Sequence, residues 1–212
     1  MGGKLLGSAA MMMMKRAMKG GHLMNDEPVR DWDRRLETLG WWHSFELPNR
    51  STIQGACSLE GLKRRLALFP IPADLHGKRV LDIGAWDGWF SFEMEKRGAE
   101  VVAIDTWRNP KFLEIRERLS SRVEYNNLDV YELDPRKIGT FDIVLFLGVL
   151  YHLKHPLLGL EKVCSVTREL AIVDTHVITN RNWAAGGRGA LTMPLSWHFM
   201  KPTNTAAAPI IG

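Results

Sequence analysis

Lys78–Phe90, KRVLDIGAWDGWF, is the stretch whose reading decides the fold. Val80, Leu81 and Ile83 make a short apolar run of the kind that forms a buried strand. Glycines come next at 84 and 88, and a helix is expected to open near Trp89–Ser91. A strand, a glycine turn and a helix are how an α/β domain builds its first ligand-binding corner. Glycine lets a ligand approach bare backbone, and the free N–H groups of a helix start face whatever sits there.

Spacing then selects among ligands. A dinucleotide fingerprint, G-x-G-x-x-G anchored on Gly84, needs glycines at 86 and 89, but the chain carries Trp86 and Trp89. The alternative is an acid that closes the strand before a D-x-G-x-x-x-G turn, met by Asp82, Gly84 and Gly88 with Asp87 inside it. This pattern resembles motif I of the class I S-adenosylmethionine-dependent methyltransferases. The resemblance implies that Asp82 lies near the methionine ammonium and that the glycines lie beneath the cofactor. An ordinary strand-to-helix turn could use the same letters, so the later strands carry the decision.

After a helical segment, Ser91–Gly98, the run VVAID (Val101–Asp105) reads as a second buried strand ending in an acid. An aspartate about 20 residues past the first motif, at the carboxyl end of strand two, is placed to accept hydrogen bonds from ribose hydroxyls. A third extended run, Val123–Asp129, brings Asn127, Asp129 and Val130 to the same edge, where the resemblance places the adenine amino group. A fourth, FDIVLFLGVLYHL, is apolar until it turns polar at Tyr151 and His152. Four strands therefore end in polar groups at one rim.

The chain has 212 residues, 45% hydrophobic and 25% charged, which is the composition of a soluble globular domain. A net charge of +4 permits an anionic partner such as tRNA without requiring one. Cys57 and Cys164 are too few for a disulfide framework and lack metal-ligand spacing, so no metal is expected and a reducing cytoplasm is the plain reading. Residues 1–27, with MMMM at 11–14, carry no periodicity and are expected to be a disordered leader, with Met24 as an alternative start. The stretch is too short and too interrupted for a membrane helix.

Residues 28–77 are expected to form a helical prelude or lid. Trp32, Leu36 and Leu39 recur at helical spacing, and WWHSFELP reads as a short segment of exposed aromatics. Ser58 caps a helix carrying Leu59, Leu62, Leu66 and Phe69, which Pro70 and Pro72 stop. Lys63, Arg64 and Arg65 are read as its solvated face. Trp41, Trp42, His43 and Phe45 either pack the prelude on the sheet or cover an active site, and His43 is a candidate catalytic residue.

WWHSFELP, DIGAWDG, FLGVLYHLKHPL and ELAIVDTH together, over about residues 41–178, resemble the bacterial methyltransferases related to the tRNA wobble-uridine carboxymethyltransferases. The resemblance implies cofactor contacts at Asp82, Gly84, Ala85, Asp87, Gly88, Asp105, Thr106, Asp129, Val130, Gly148 and Tyr151. It implies S-adenosyl-L-methionine as cofactor, with carboxy-S-adenosyl-L-methionine the alternative, since Tyr151 matches a tyrosine that holds the carboxylate of that variant. Trp86 departs from the small residue usual in the superfamily, and its ring is expected to point toward substrate or prelude.

Methyl transfer from a sulfonium mostly needs alignment, and a base helps when the acceptor is a hydroxyl. His152, just past strand four, is the base candidate by position, with Tyr151 beside it and a structural role as its alternative. His155 precedes Pro156 and reads as structural. Leu157–Val166 is the next helix and Leu170–Val177 the fifth strand. Asp174 and His176 at its end either touch the acceptor or fix the loop beyond it.

After Ile178 the residues show glycine and proline clusters and no evident alternation, so the C-terminal strands are expected to be truncated or divergent, leaving one sheet edge open. Asn182 and Trp183 are candidates for a substrate loop. The expected fold is α/β, a Rossmann-like class I methyltransferase sheet with helices on both faces and a helical N-terminal prelude. It divides into 1–27, 28–77, a cofactor-binding core at 78–178 and an irregular tail at 179–212. The function expected is methyl transfer to a small molecule or glycan, with tRNA wobble-uridine modification and an inactive cofactor-binding partner subunit as alternatives.

Overall fold

In the computed structural model, the motif strand lies at the centre of a six-stranded sheet. The structure describes residues 40–176 and the backbone of 177–178 and 192–200, all within one unit, Gly40–Gly212. The expected leader, the Trp32/Leu36/Leu39 helix and Asn182 and Trp183 lie outside the described residues.

The elements in chain order begin with four short strands, β1 (Trp41–His43), β2 (Phe45–Glu46), β3 (Thr52–Ile53) and β4 (Gly55–Cys57), and then helix α1 (Leu59–Ala67). The central region holds β5 (Arg79–Ile83), α2 (Trp89–Lys96), β6 (Glu100–Asp105), α3 (Pro110–Arg118), β7 (Glu124–Asn127), α4 (Pro135–Ile138) and β8 (Phe141–Leu147). A 3₁₀ turn at Leu150–His152 leads into α5 (Pro156–Val166), β9 (Thr167–Ile178) and β10 (Thr192–Met200).

Sheet order is β10-β9-β8-β5-β6-β7, with β7, β6, β5, β8 and β9 parallel and β10 antiparallel to β9. The chain runs outward from β5 through β6 to β7, then returns to add β8 on the other flank of β5. The order therefore reverses between β5 and β8, and ligands of open α/β sheets bind at the carboxyl ends of the strands beside such a reversal.

Strand alternation sorts side chains onto two faces. Val80, Val101, Ala103, Ile143 and Leu145 join one buried cluster with Leu62, Phe92, Met94, Phe112 and Ile115 from α1, α2 and α3. Leu81, Ile83, Val102, Ile104, Val144 and Phe146 join a second cluster with Val163 and Val166 of α5. The same alternation sends Asp82 to the α2 face, where it lies buried and accepts a 2.6 Å bond from the Ser91 hydroxyl.

Three expectations are revised. The residues ahead of α1 within the described prelude are short strands: β1 pairs with β4 and β2 with β3. WWHSFELP is not a run of exposed aromatics, because strand alternation leaves Trp42 outside while His43 and Phe45 are buried. The sheet edge beyond β9 is not open. β10 covers it from Thr192 opposite Ile178 to Met200 opposite Leu170. Pro194 is tolerated there because a proline on an outer strand needs no partner for its missing N–H. No helix among the described residues is long and apolar enough to cross a membrane.

Candidate functional site

The turn between β5 and α2 bends by placing Gly84, Trp86 and Gly88 at positive φ, 71°, 55° and 89° respectively. Glycine adopts such angles freely, and two positions also lack room for a side chain. A Cβ on Gly88 would sit 2.5 Å from the Phe112 ring and 2.7 Å from Phe92, and one on Gly84 would run into Cγ2 of Val149. The loops after β5 and β8 thus meet at the point where strand order reverses. Gly84 and Ala85 anchor the turn by donating their N–H groups to the Ile104 carbonyl at 2.8 and 3.2 Å.

Asp105 ends β6 beside this turn. Its Oδ2 accepts from the Trp86 N–H at 3.0 Å and its Oδ1 from the Thr106 N–H at 2.8 Å. Burial pushes the carboxyl up to about 6 against the pull of those bonds. Asp82 is likewise raised to about 6 by burial, opposed by the hydrogen bond from the Ser91 hydroxyl. Two acceptor-only groups therefore stand in low-dielectric surroundings at the tips of adjacent strands. Thr106 is exposed at the rim, and Asn127 turns its amide nitrogen to the carbonyls of Asp105 (3.1 Å) and Thr106 (2.9 Å).

The Trp86 ring meets Trp107 in the loop after Asp105, edge to face at 5.3 Å. Tyr125 holds that loop, donating to the Trp107 carbonyl and accepting from the Asn109 N–H, both at 3.0 Å.

Asp129 and Val130 lie past β7. The Asp129 carboxylate caps a 3₁₀ turn by accepting from Tyr131 N–H at 2.9 Å, and Val130 is buried. Gly148, at φ 76°, donates its N–H to the Asp174 carbonyl at 2.7 Å, joining the loop after β8 to β9. Tyr151 is 43% exposed, its hydroxyl raised by burial of the phenol oxygen, and its ring meets His152 at 4.1 Å and His176 at 4.9 Å.

Arg65 joins the site although its helix-face pattern gives no sign of it. Lys63 and Arg64 are exposed, but Arg65 turns inward, donating to Asp174 Oδ2 from Nε at 2.8 Å and from a terminal nitrogen at 2.7 Å. Its guanidinium also lies 5.4 Å from the centre of the Phe90 ring. Asp174 is 2% exposed, so the pair brings an otherwise costly carboxylate to the point of β9 that lies opposite Leu147, the last residue of β8.

Asp87 faces β1. Its Oδ2 accepts from the backbone N–H groups of Trp42 (3.1 Å) and His43 (3.0 Å), and its Oδ1 pairs with His43 Nδ1. The structure thus gathers Asp82, Gly84, Ala85, Asp87, Gly88, Asp105 and Thr106 around one turn. Gly148, Tyr151 and His152 stand on the neighbouring loop, and His43 reaches the turn through Asp87. Among the described residues no group of three His, Cys, Asp or Glu is gathered to hold a metal.

Over 86 residues the chain is 33% identical to the ubiquinone biosynthesis O-methyltransferase of Nitrosococcus oceani, covering 40% of this chain and 36% of that protein. Over 91 residues it is 34% identical to the tRNA U34 carboxymethyltransferase of Pseudomonas paraeruginosa, covering 40% and 27%. The match thus spans well under half the length of these curated relatives. The N-terminal domain of EvdMO1, solved in the presence of SAH and D-fucose, shares the fold with a TM-score of 0.53 at 22% identity, over 84% of this chain and 83% of that one. A family model described as a methyltransferase domain matches residues 50–206. The chain therefore belongs to the methyltransferase-domain family, with the fold of the class I S-adenosylmethionine-dependent enzymes.

Proposed function

We propose that the chain is an S-adenosylmethionine-dependent methyltransferase acting on an oxygen of a small-molecule or glycan acceptor. The observation that carries this is the pairing of two buried carboxylates, Asp82 and Asp105, on neighbouring strand tips around a glycine turn at the reversal of strand order. Ribose hydroxyls and a methionine ammonium are donors, which is what acceptor-only groups in low dielectric require. In this reading Asp105 holds the ribose and Asp82 the amino-acid end, Gly84, Ala85 and Gly88 form the floor, and Thr106, Asp129 and Val130 border the adenosine. When bound, the cofactor supplies a methyl carbon on a sulfonium, and an O–H acceptor must lose one proton per transfer. Gly148, Tyr151, His152 and Asp174 stand on the acceptor side.

Likeness to an O-methyltransferase supports an oxygen acceptor. A second reading, wobble-uridine modification of tRNA, is favoured by likeness to a tRNA U34 carboxymethyltransferase and by the net charge of +4. Titration calorimetry with S-adenosylmethionine and S-adenosylhomocysteine tests the cofactor. Asp105→Ala should weaken binding by about 1–3 kcal/mol through lost hydrogen bonds, and unchanged affinity would remove Asp105 from the site. Tritiated-methyl assays against tRNA and against small-molecule pools separate the two acceptors. Binding with no turnover of either pool would point instead to an inactive partner subunit.

A further inference from the structure

We propose that His43 and Asp87 form a general-base dyad in which His43 Nε2 takes the proton of the acceptor hydroxyl. The proposal rests on the methyltransferase reading and adds to it the group that removes the proton. His43 Nδ1 pairs with Asp87 Oδ1, which fixes both the ring orientation and the nitrogen that carries the hydrogen. The other ring nitrogen has no hydrogen-bond partner among the described residues. No side-chain nitrogen or oxygen sealed from solvent among them lacks one, so Nε2 touches accessible space even though the side chain is only 8% exposed. An imidazole held through one nitrogen, with the other bare and open, has the form of a base awaiting a substrate.

A purely structural tether explains less of this geometry. β1 is already secured to the turn by the two backbone N–H groups on Asp87 Oδ2, and the second carboxylate oxygen serves the imidazole alone. The ring is further fixed edge to face on Phe90 at 5.9 Å, whose own ring lies beneath the Arg65 guanidinium. His152, the base candidate by position alone, instead packs its ring on that of Tyr151 at 4.1 Å.

The proton balance closes within the dyad. With the cofactor bound, the acceptor O–H would give its proton to Nε2 and its oxygen would keep the pair that forms the new bond to the methyl carbon, while the carbon–sulfur bond breaks and its pair stays on sulfur, leaving S-adenosylhomocysteine. The imidazolium that results is paired with the Asp87 carboxylate, and the proton then leaves to solvent from Nε2. Asp87 is a positioning residue in this scheme and does not itself become protonated.

The test uses the full chain labelled with ¹⁵N-histidine and loaded with S-adenosylhomocysteine. Long-range ¹H–¹⁵N spectra near neutral pH should show His43 protonated at Nδ1 with Nε2 bare, and Asp87→Asn should populate the other tautomer. A His43 ring carrying hydrogen on Nε2 in the unmodified chain overturns the proposal, whatever the assay gives. His43→Asn keeps a donor for Asp87 and removes Nε2. It should lower the melting midpoint only by the lost ring contact with Phe90 and leave S-adenosylhomocysteine affinity unchanged, while lowering methyl incorporation into a hydroxyl acceptor pool by about 10²–10⁴-fold. Unchanged incorporation also overturns the dyad. Failure of the unmodified chain to bind S-adenosylhomocysteine would defeat the methyltransferase reading itself and is measured separately.

Discussion

Trp86 occupies the left-handed region at φ 55°, between two glycines that do the same without strain. For a residue with a Cβ this conformation costs roughly 1–2 kcal/mol, and here the ring contact with Trp107, worth about 0.5–1.5 kcal/mol, offsets part of it. Comparing Trp86→Ala with Trp86→Gly separates the two effects, since both delete the ring and only alanine keeps the Cβ. In an unstrained segment glycine is the worse choice by about 0.4–1 kcal/mol, because it frees the unfolded chain. At position 86 the order should invert, with glycine more stable than alanine by about 0.5–1 kcal/mol once that entropy is set against the strain. The N–H bond from residue 86 to Asp105 survives in both variants and cancels. Urea unfolding followed by far-ultraviolet circular dichroism measures the difference without relying on tryptophan emission. Alanine equal to or more stable than glycine would refute the strain and show that the Trp86 backbone sits in an ordinary well.

The buried charges give further outcomes. Asp105 is held near 6 in the fold but titrates near 3.9 when unfolded, so the folded chain binds the extra proton between those values and ionisation at higher pH opposes folding. The stability of ligand-free Asp105→Asn relative to the unmodified protein should therefore rise by about 2 kcal/mol between pH 4 and pH 7, from a lower starting point because the amide oxygen can accept only one of the two N–H bonds that Asp105 accepts. A parallel pair of urea midpoints across that range would contradict it. Affinity for S-adenosylhomocysteine should weaken below pH 6 as Asp82 and Asp105 take up protons, which calorimetry at stepped pH reads. Arg65→Met strands the buried Asp174 carboxylate and should cost about 1–3 kcal/mol, discounted because the guanidinium is one-third exposed, whereas Asp174→Asn should cost less. Equal losses in thermal unfolding would mean that burial of Asp174 does not set the balance.

Much of this fold can be read from β5 outward because buried parallel strands are continuous apolar runs, and KRVLDIG, VVAID and FDIVLFL are of that kind. The glycine turn is legible for a related reason: only certain residues tolerate its dihedral angles. Strands β1 to β4 are not, since pairs and triplets of residues are too short to show a period, although the exposed Trp42 does stand next to the buried His43. β10 is obscured by the proline and glycines around it, yet Leu195, Trp197 and Phe199 alternate with Ser196 and His198. Arg65 reads as solvent-facing because a helix face looks solvated until the strand opposite it is known to carry a carboxylate. The partner of Asp87 lies 44 residues away in sequence, and no local spacing announces a contact of that range.

Because Asp87 sits in the glycine turn while its hydrogen-bond donors sit on β1, the two segments share one equilibrium. Whatever fraction of the time β1 lifts away, the turn loses its brace, and an occupant that prefers the braced turn holds the strand down by the same factor. Occupancy of the turn should therefore be audible at a distance, as slower hydrogen exchange at the amides of Trp42 and His43.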